Sequence, residues 1–293
     1  MRIFCLELDN ELKGIENRKA YIESLIAELP CPDLIALPEL AMCSYMGSTE
    51  IWPYADADSL NTSSWAMEMA EKYNTFLAVG YLEKRGADFY NSYLLADKTR
   101  VYGIVRKNEG ESYIFKRGAF SPIISAPFGD VAVGICYDAR RRHLYDSIST
   151  RAISLILFPH GSPADPEKPE DEIRANDFFC NAYSRAFDVP VVYVNSVGKL
   201  DFMLGKTGKM MMNAGFRLNG RSKIYSGAGT VIETGIPEGL GIDVALQQNP
   251  LGQKIRFFGT DINKRNFWFR TLVLKPDIKA GCRYYERNIA RSL

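Results

Sequence analysis

Three short segments each place a chemically useful side chain directly after an apolar, strand-like stretch. Glu39 follows the sequence DLIALP, Lys107 follows the alternating segment VYGIVR, and Cys136 follows DVAVGI. A thiol at a strand end can act as a nucleophile, a carboxylate in an apolar site can accept its proton, and an ammonium group can stabilise an oxyanion. The three residue types together predict acyl-transfer chemistry at a carbonyl carbon.

Each of these residues also has a purely structural interpretation. Cys136 could be packed in the core, Glu39 could be an exposed turn residue, and Lys107 could belong to a surface charge pair. The cations at Arg140–Arg142 are expected to favour the thiolate of Cys136 over the thiol. The catalytic interpretation requires the three strand-like segments to end at one common mouth, and we expect that they do.

The rest of the sequence predicts an α/β protein. Apolar residues at helical spacing predict helices over Asn17–Leu29, Ser63–Asn74 and Asp171–Phe187. Short apolar or alternating stretches predict strands, among them Asp33–Leu40 and Ser222–Glu233. This alternation favours helices covering the outer faces of packed sheets, in a single domain over residues 1–293. The segment Leu200–Arg221 is rich in Gly, Met and Lys and shows little periodicity. We expect it to be a long loop that serves as a lid or binds a partner.

Composition argues against several classes of protein. The chain has 36 Lys and Arg against 35 Asp and Glu, a net charge of +1, so no basic surface is expected to bind nucleic acid. Acidic residues interrupt the first apolar stretch, and no apolar run approaches about 18 residues, so we expect a cytoplasmic protein without a membrane span. The six cysteines are scattered and histidines number only two, which predicts free thiols, no metal site and no cofactor.

The order of the motifs resembles the nitrilase superfamily of carbon–nitrogen hydrolases. LPEL around Glu39, RKN around Lys107 and GICYD around Cys136 match the segments that carry the family's Glu–Lys–Cys triad. ESYIFKRG, which begins at Glu111, matches the segment of an auxiliary glutamate that positions the site. Shorter matches are the segments Tyr90–Ser92 (YNS), Ser184–Ala186 (SRA), Val194–Gly198 (VNSVG) and Ser226–Gly229 (SGAG).

The resemblance implies a fold, an assembly and a reaction. The fold is a four-layer α-β-β-α sandwich of nitrilase type, which pairs into a homodimer or a higher homo-oligomer. Glu39 would be the general base and Cys136 the nucleophile that forms a thioester. Lys107 and the backbone N–H of Tyr137 would stabilise the oxyanion, and Glu111 would be part of the catalytic site.

The residues around the nucleophile also bear on the substrate. Tyr-Asp after the cysteine resembles the amidase-like branch, whereas true nitrilases typically have Trp-Glu there. The expected substrate is therefore a small-molecule amide or an N-carbamoyl compound, with release of ammonia or amine. Tyr45 in MCSYMG and His160 in FPHGSP are candidates for the substrate pocket. Arg141 and Arg142 could suit an acidic substrate or could be solvated.

Two segments depart from the family pattern, and several alternatives stay open. Arg140–His143 (RRRH) replaces the usual RFPE, and Arg185–Val189 (RAFDV) replaces RA-x-E-N, so the substrate is not carried over from the family. The chain could instead be a non-catalytic member of the fold that binds a ligand or protein, a thiol redox protein, or an ammonia-donating glutaminase domain. The C-terminal tail, from about Lys275, could reach across a partner or be frayed.

Overall fold

The computed structural model describes residues 1–226, 231–233, 240–264 and 267–292. The strands in chain order are β1 Arg2–Cys5, β2 Leu34–Ala36, β3 Met46–Gly47, β4 Asp56–Ala57, β5 Phe76–Arg85, β6 Asp88–Ala96, β7 Val101–Arg106, β8 Ile123–Ala126, β9 Gly129–Val133, β10 Leu155–His160, β11 Pro163–Ala164, β12 Val191–Asn195, β13 Val197–Lys199, β14 Asp201–Met203, β15 Arg217–Asn219, β16 Lys223–Tyr225, β17 Val231–Glu233 and β18 Leu240–Asp243.

The α-helices range from 3 to 19 residues in length. The α-helices are α1 Ile15–Ala27, α2 Leu60–Tyr73, α3 Arg142–Ile148, α4 Pro169–Phe187, α5 Gly205–Asn213, α6 Phe267–Phe269 and α7 Lys275–Ser292. Two 3-10 helices span Thr49–Tyr54 and Cys136–Arg140, and a π-helical stretch, Arg270–Leu274, joins α6 to α7. No helix in the described part of the chain is both long and apolar enough to cross a membrane.

Two large sheets stack face to face. The first has the order β18-β1-β2-β5-β6-β7, with β4 also paired to β5, and the second has the order β17-β16-β12-β10-β9-β8. Ile3 and Ala36 of the first sheet pack against Val133 and Leu157 of the second in a fully buried core. The β-branched and aliphatic residues of these strands bury both faces, as expected for central parallel strands.

Helices cover both outer faces of the stacked sheets. Ile22 of α1 and Trp65 of α2 pack on the first sheet, and Leu144 of α3 and Phe179 of α4 pack on the second. The predicted four-layer α-β-β-α sandwich is therefore confirmed. Strands β1, β2 and β5 are mutually parallel, as are β9, β10 and β12. Parallel strands end at one edge of their sheet, and the segments that follow β2, β9 and β10 carry the candidate chemistry.

Two predictions about the second half of the chain are corrected. Leu200–Arg221 is not a long loop, because it contains β14, α5 and β15. Helix α5 buries only Gly208, and its apolar residues are confined to Met210–Met212, a run too short to predict a helix from the sequence. The frayed alternative for the C-terminal tail is also wrong, since α7 extends to Ser292 and the Tyr285 hydroxyl accepts a hydrogen bond from Phe89 N at 2.9 Å.

Two predicted strands differ from the structure, one because part of it lies outside the described residues and one because it is shorter than predicted. The predicted strand Ser222–Glu233 corresponds to β16 and β17, and residues 227–230 between them are outside the described residues. The same gap contains most of the SGAG match, so residues 227–229 of that motif are likewise outside them. The strand predicted over Asp33–Leu40 is shorter than expected: β2 ends at Ala36, and the chain turns at Leu40 with a φ of 53°.

Candidate active site

Glu39 lies in the turn after β2, with its carboxylate fully enclosed. Gly80 permits this turn, because a Cβ atom there would lie 2.4 Å from the carbonyl oxygen of Pro38. Oε1 of Glu39 accepts hydrogen bonds from Lys107 Nζ at 2.6 Å and Asn91 Nδ2 at 2.7 Å, and Oε2 accepts one from Gly161 N at 2.7 Å. A carboxylate held by three donors has a fixed position and orientation.

Lys107 is also buried and lies between two carboxylates. It follows β7, and its backbone N–H donates to Asn91 O at 2.8 Å, which fixes the start of the loop. Its Nζ reaches Glu39 Oε1 at 2.6 Å and Glu111 Oε1 at 3.1 Å, and the Tyr45 hydroxyl donates to the same Glu111 oxygen at 2.6 Å. The structure therefore brings Glu39, Lys107 and Glu111 into one hydrogen-bonded cluster, with Tyr45 at its edge.

Cys136 begins the 3-10 helix that follows β9. Its φ is 50°, in the left-handed region, whereas the preceding Ile135 is extended. A non-glycine residue in this region is uncommon, and such strained conformations concentrate at functional sites. The turn lifts the cysteine out of the buried strand, so its side chain is only partly buried and lines a cavity.

Asp138 ties the cysteine turn to the lysine loop. Its buried carboxylate accepts hydrogen bonds from the backbone N–H groups of Asn108 and Glu109, both at 2.8 Å. His143 Nε2 lies 3.3 Å from the same carboxylate. This positioning contact was missed at the level of sequence, where the Asp of GICYD was used only to distinguish amidases from nitrilases.

The electrostatics of the cluster keep the thiol neutral and the lysine charged. Burial raises the pKa of the Cys136 thiol, and the nearby Glu39 carboxylate adds to the shift. Burial also raises the pKa of Glu39, and the Lys107 ammonium only partly opposes it. Burial alone would lower the pKa of Lys107, but the carboxylates of Glu111 and Glu39 outweigh it and hold that pKa well above its usual value.

The arginines that follow the cysteine do not overcome the effect of burial on its thiol. Arg140 lowers the pKa of Cys136, in the predicted direction, but burial and the Glu39 carboxylate raise it by more, and Arg140 is itself paired with Glu172. Arg141 pairs with Glu109 at 3.2 Å, and Arg142 pairs with Asp146 at 3.5 Å on the surface. The pKa of the thiol therefore stays raised, although one of the predicted cations favours the thiolate.

A cavity of about 630 Å³ opens in front of this cluster. Cys136, Tyr45, Glu111, Tyr137 and His160 line it, while Glu39 and Lys107 lie behind the wall with side chains that are 0% exposed. The two residues predicted for the substrate pocket, Tyr45 and His160, are thus both on its surface. The Tyr137 hydroxyl donates to Asp261 at 3.1 Å.

His160, one of the residues that line the cavity, has a buried ring nitrogen without a hydrogen-bond partner among the described residues. Burial lowers its pKa well below the usual value, so the ring is neutral. Nδ1 lies 3.0 Å from the carbonyl oxygen of Phe158, which can only accept, so Nδ1 carries the proton. Nε2 is then an acceptor, and among the described residues it has no hydrogen-bond partner. The adjacent Gly161 has no room for a side chain, since a Cβ would lie 2.4 Å from the ring of Tyr45.

No group of three or more His, Cys, Asp and Glu residues in the described ranges is arranged to hold a metal ion. The charged groups of the cluster instead partner one another. Two carboxylates, one ammonium and one thiol around a cavity provide a base, an electrostatic stabiliser and a nucleophile.

Comparisons with known proteins agree with this fold. The chain is 25% identical over 216 residues to a probable nitrilase from Schizosaccharomyces pombe, a match that covers 68% of this chain and 76% of that protein. A carbon-nitrogen hydrolase from Helicobacter pylori G27 superposes with a TM-score of 0.67 at 17% identity, over 80% of this chain and 85% of that one. An amidase from Nesterenkonia sp. superposes with a TM-score of 0.66 at 18% identity, over 83% and 90%. The family described as carbon-nitrogen hydrolase matches residues 11–252, and this chain belongs to it.

Proposed function

We propose that this protein is an amidase that hydrolyses the amide, or N-carbamoyl group, of a small molecule through a thioester on Cys136. The observation that carries the proposal is the buried pair of Lys107 and Glu39, joined at 2.6 Å, behind a cavity whose wall contains Cys136 in a left-handed turn. A buried ion pair is expensive to desolvate and is weak evidence for stability, so its place beside a nucleophile supports a chemical role.

In the first half of the reaction, Glu39 accepts the proton of the Cys136 thiol as sulfur attacks the amide carbonyl carbon. A base with a raised pKa suits this transfer, because the thiol also has a raised pKa and the two are better matched. Lys107 and the backbone N–H of Tyr137 stabilise the oxyanion. Glu39 then gives its proton to the nitrogen, the carbon–nitrogen bond breaks, and ammonia or amine leaves behind a thioester.

In the second half, Glu39 takes a proton from water as the water oxygen attacks the thioester. The carbon–sulfur bond breaks, the carboxylic acid leaves, and the proton returns to the Cys136 sulfur. One amide and one water are thus converted to one acid and one ammonia or amine. Lys107 stays protonated throughout, because two carboxylates hold its pKa high, and it contributes charge without proton transfer.

The relatives support a carbon–nitrogen substrate, and the site gives less support to the alternatives. In a variant of the Nesterenkonia amidase, the acetamide moiety of fluoroacetamide is covalently added at the active site cysteine. A non-catalytic binding protein would need no hydrogen-bonded acid and lysine behind the thiol. A redox protein would need a second thiol able to pair with Cys136, and among the described residues that line the cavity Cys136 is the one cysteine.

The test is ammonia release from a panel of amides, carbamoyl compounds and nitriles by the wild type and Cys136→Ala. We expect amides to be hydrolysed and the variant to lose at least about a thousandfold in kcat/KM. Fluoroacetamide should add to the peptide that contains Cys136, as read by peptide mass. Cys31→Ala is the matched control, because Cys31 is an exposed thiol, and this variant should keep full activity.

Two outcomes of this test would contradict the proposal. Hydrolysis that persists in Cys136→Ala would remove the nucleophile from the mechanism. No ammonia release from any compound of the panel, together with no adduct on Cys136, would favour the non-catalytic binding protein. The homodimer or higher homo-oligomer that the family resemblance implies stays a prediction, and sedimentation of the purified chain would measure it.

A further inference from the structure

The wall of the cavity has two unlike parts. One part carries the thiol and the polar residues described above. The other part is formed by residues of β14, α5, the segment before β15 and the C-terminal helical region, and we call it the roof. The roof consists mainly of apolar residues, among them Met203, Leu204, Met211, Phe216, Leu274 and Ile278. A molecule whose amide sits at Cys136 would extend any further group toward these side chains.

The charged residues that line the cavity are mostly acidic. They are the carboxylates of Glu109, Glu111, Glu172 and Asp277, against the single guanidinium of Arg140. The Arg140 guanidinium is already engaged, because it donates to Glu172 and, at 2.5 Å, to Asn176 Oδ1. A negatively charged group on a substrate would therefore find no unengaged cation among the described residues that line this cavity.

At the roof itself, the acidic residue is committed to the fold. Asp277 of α7 accepts hydrogen bonds from the backbone N–H groups of Lys206 and Thr207, both at 2.9 Å, and from the Tyr113 hydroxyl at 2.9 Å. These bonds cap the first turn of α5 and lower the pKa of Asp277, although burial alone would raise it. Because its oxygens are occupied by these donors, Asp277 is poorly placed to bind a cationic substrate group.

We propose that the substrate is a neutral primary amide whose acyl group is an apolar chain or ring that packs under the roof. The inference rests on the proposed amidase function and names its substrate class. Ammonia is the leaving group of a primary amide, so only the acyl group can occupy the rest of the cavity. A volume of about 630 Å³ is far larger than an acetyl group needs and is within the range of pockets that enclose much larger ligands.

Chain length and terminal charge of the amide test this directly. Ammonia release by the wild type is measured with acetamide, butanamide and hexanamide, and kcat/KM should rise about fourfold for each methylene that the roof buries. Hexanamide is then compared with the monoamide of adipic acid and with 6-aminohexanamide, which carry a carboxylate and an ammonium at the same end. Both charged amides should be at least about a hundredfold poorer than hexanamide.

A charge placed in the roof provides a second, independent test. Met211→Lys puts a cation among the roof residues and should raise the ratio of adipic monoamide to hexanamide activity at least about tenfold. Met212→Lys is the matched control, since Met212 is the next residue of α5, is 37% exposed and does not line the cavity. The control should leave the ratio as in the wild type, and melting temperatures of both variants report whether they fold.

The possible outcomes separate this inference from the amidase proposal. Acetamide as good as hexanamide, or either charged amide as good as hexanamide, would overturn the apolar substrate class while leaving the amidase function intact. An unchanged ratio in a folded Met211→Lys variant would also overturn it. If no amide is hydrolysed and Cys136 is not alkylated by fluoroacetamide, the proposed function itself fails, and the substrate class fails with it.

Discussion

Replacing Glu111 by glutamine tests whether the charge beside Lys107 tunes the general base. In Glu111→Gln the new amide would keep an oxygen that can accept from the Tyr45 hydroxyl and from Lys107 Nζ, so the hydrogen-bond geometry is largely preserved. What disappears is a negative charge that raises the pKa of Glu39. Removing it should lower that pKa, and the acid limb of the pH profile of kcat/KM should move to lower pH.

The size of the shift follows from the distances through Lys107. Nζ lies 2.6 Å from Glu39 Oε1 and 3.1 Å from Glu111 Oε1, so the two oxygens are separated by at most the sum of these distances, ~5.7 Å. Two unit charges at that separation interact by about 3 kcal/mol at an effective dielectric constant near 20. The Glu111 side chain is 22% exposed, and solvent screening should reduce this interaction to about half.

The assay is kcat/KM for the best amide from about pH 4 to 9 in wild type and Glu111→Gln. The maximum of kcat/KM should fall as well, because Lys107 loses one of the two carboxylates that position its ammonium group. Glu109→Gln is a useful comparison, since Glu109 is in the same loop but pairs with Arg141 and Arg117, and its effect on the acid limb should be much smaller. An acid limb in Glu111→Gln that stays in place, or moves to higher pH, would refute the electrostatic account.

Three further substitutions address the shape of the site. Gly161→Ala would place a Cβ 2.4 Å from the Tyr45 ring and 3.1 Å from Glu39 Oε2, so kcat should fall about a hundredfold or more, measured by ammonia release. Asp138→Asn weakens the buried acceptor that joins the cysteine turn to the lysine loop and should lower stability by about 1.5–3 kcal/mol in denaturant unfolding. His160→Phe removes an unpartnered buried acceptor together with the Nδ1–H donor to Phe158 O, so the two effects on the melting temperature should largely cancel, while kcat/KM falls about tenfold if Nε2 binds the amide N–H.

Each of these outcomes has a clear opposite. A fully active Gly161→Ala would mean that the backbone there can move away from Glu39 without cost to the reaction. If Asp138→Asn unfolds at the same denaturant concentration as wild type, the turn is held by other contacts. An unchanged kcat/KM for amides in His160→Phe would show that Nε2 does not contact the substrate.

The layered arrangement could be predicted from the sequence, because the apolar pattern within each segment determines whether that segment forms a strand or a helix. Alternating and continuous apolar stretches determine strands such as β9 and β10, and these must be covered on both faces. Helix α5 could not be predicted in this way, because it is short and mostly exposed and its apolar residues form the single run Met210–Met212. Its first turn is capped by Asp277, from a position 70 residues away in the sequence.

The same division applies to the site. Glu39, Lys107 and Cys136 were predicted from residue types at strand ends and from the order of three motifs that resembles a known family. Their electrostatic state was not, because the charge of each arginine after Cys136 depends on which distant carboxylate it meets, as Arg140 meets Glu172. The positioning role of Asp138 depends on a loop 30 residues earlier in the chain, and no spacing rule predicts such a bond.

The C-terminal helical region has a consequence for how this protein could diverge from its relatives. Leu274, Asp277 and Ile278 border the cavity, yet they lie beyond residues 11–252, the part of the chain that the carbon-nitrogen hydrolase family matches. The residues proposed to cleave the carbon–nitrogen bond and part of the surface proposed to select the substrate therefore lie in separate stretches of the sequence. Substitutions in the last stretch could change what the enzyme accepts while the chemistry stays as it is, and new specificities could be sought by randomising a few positions there.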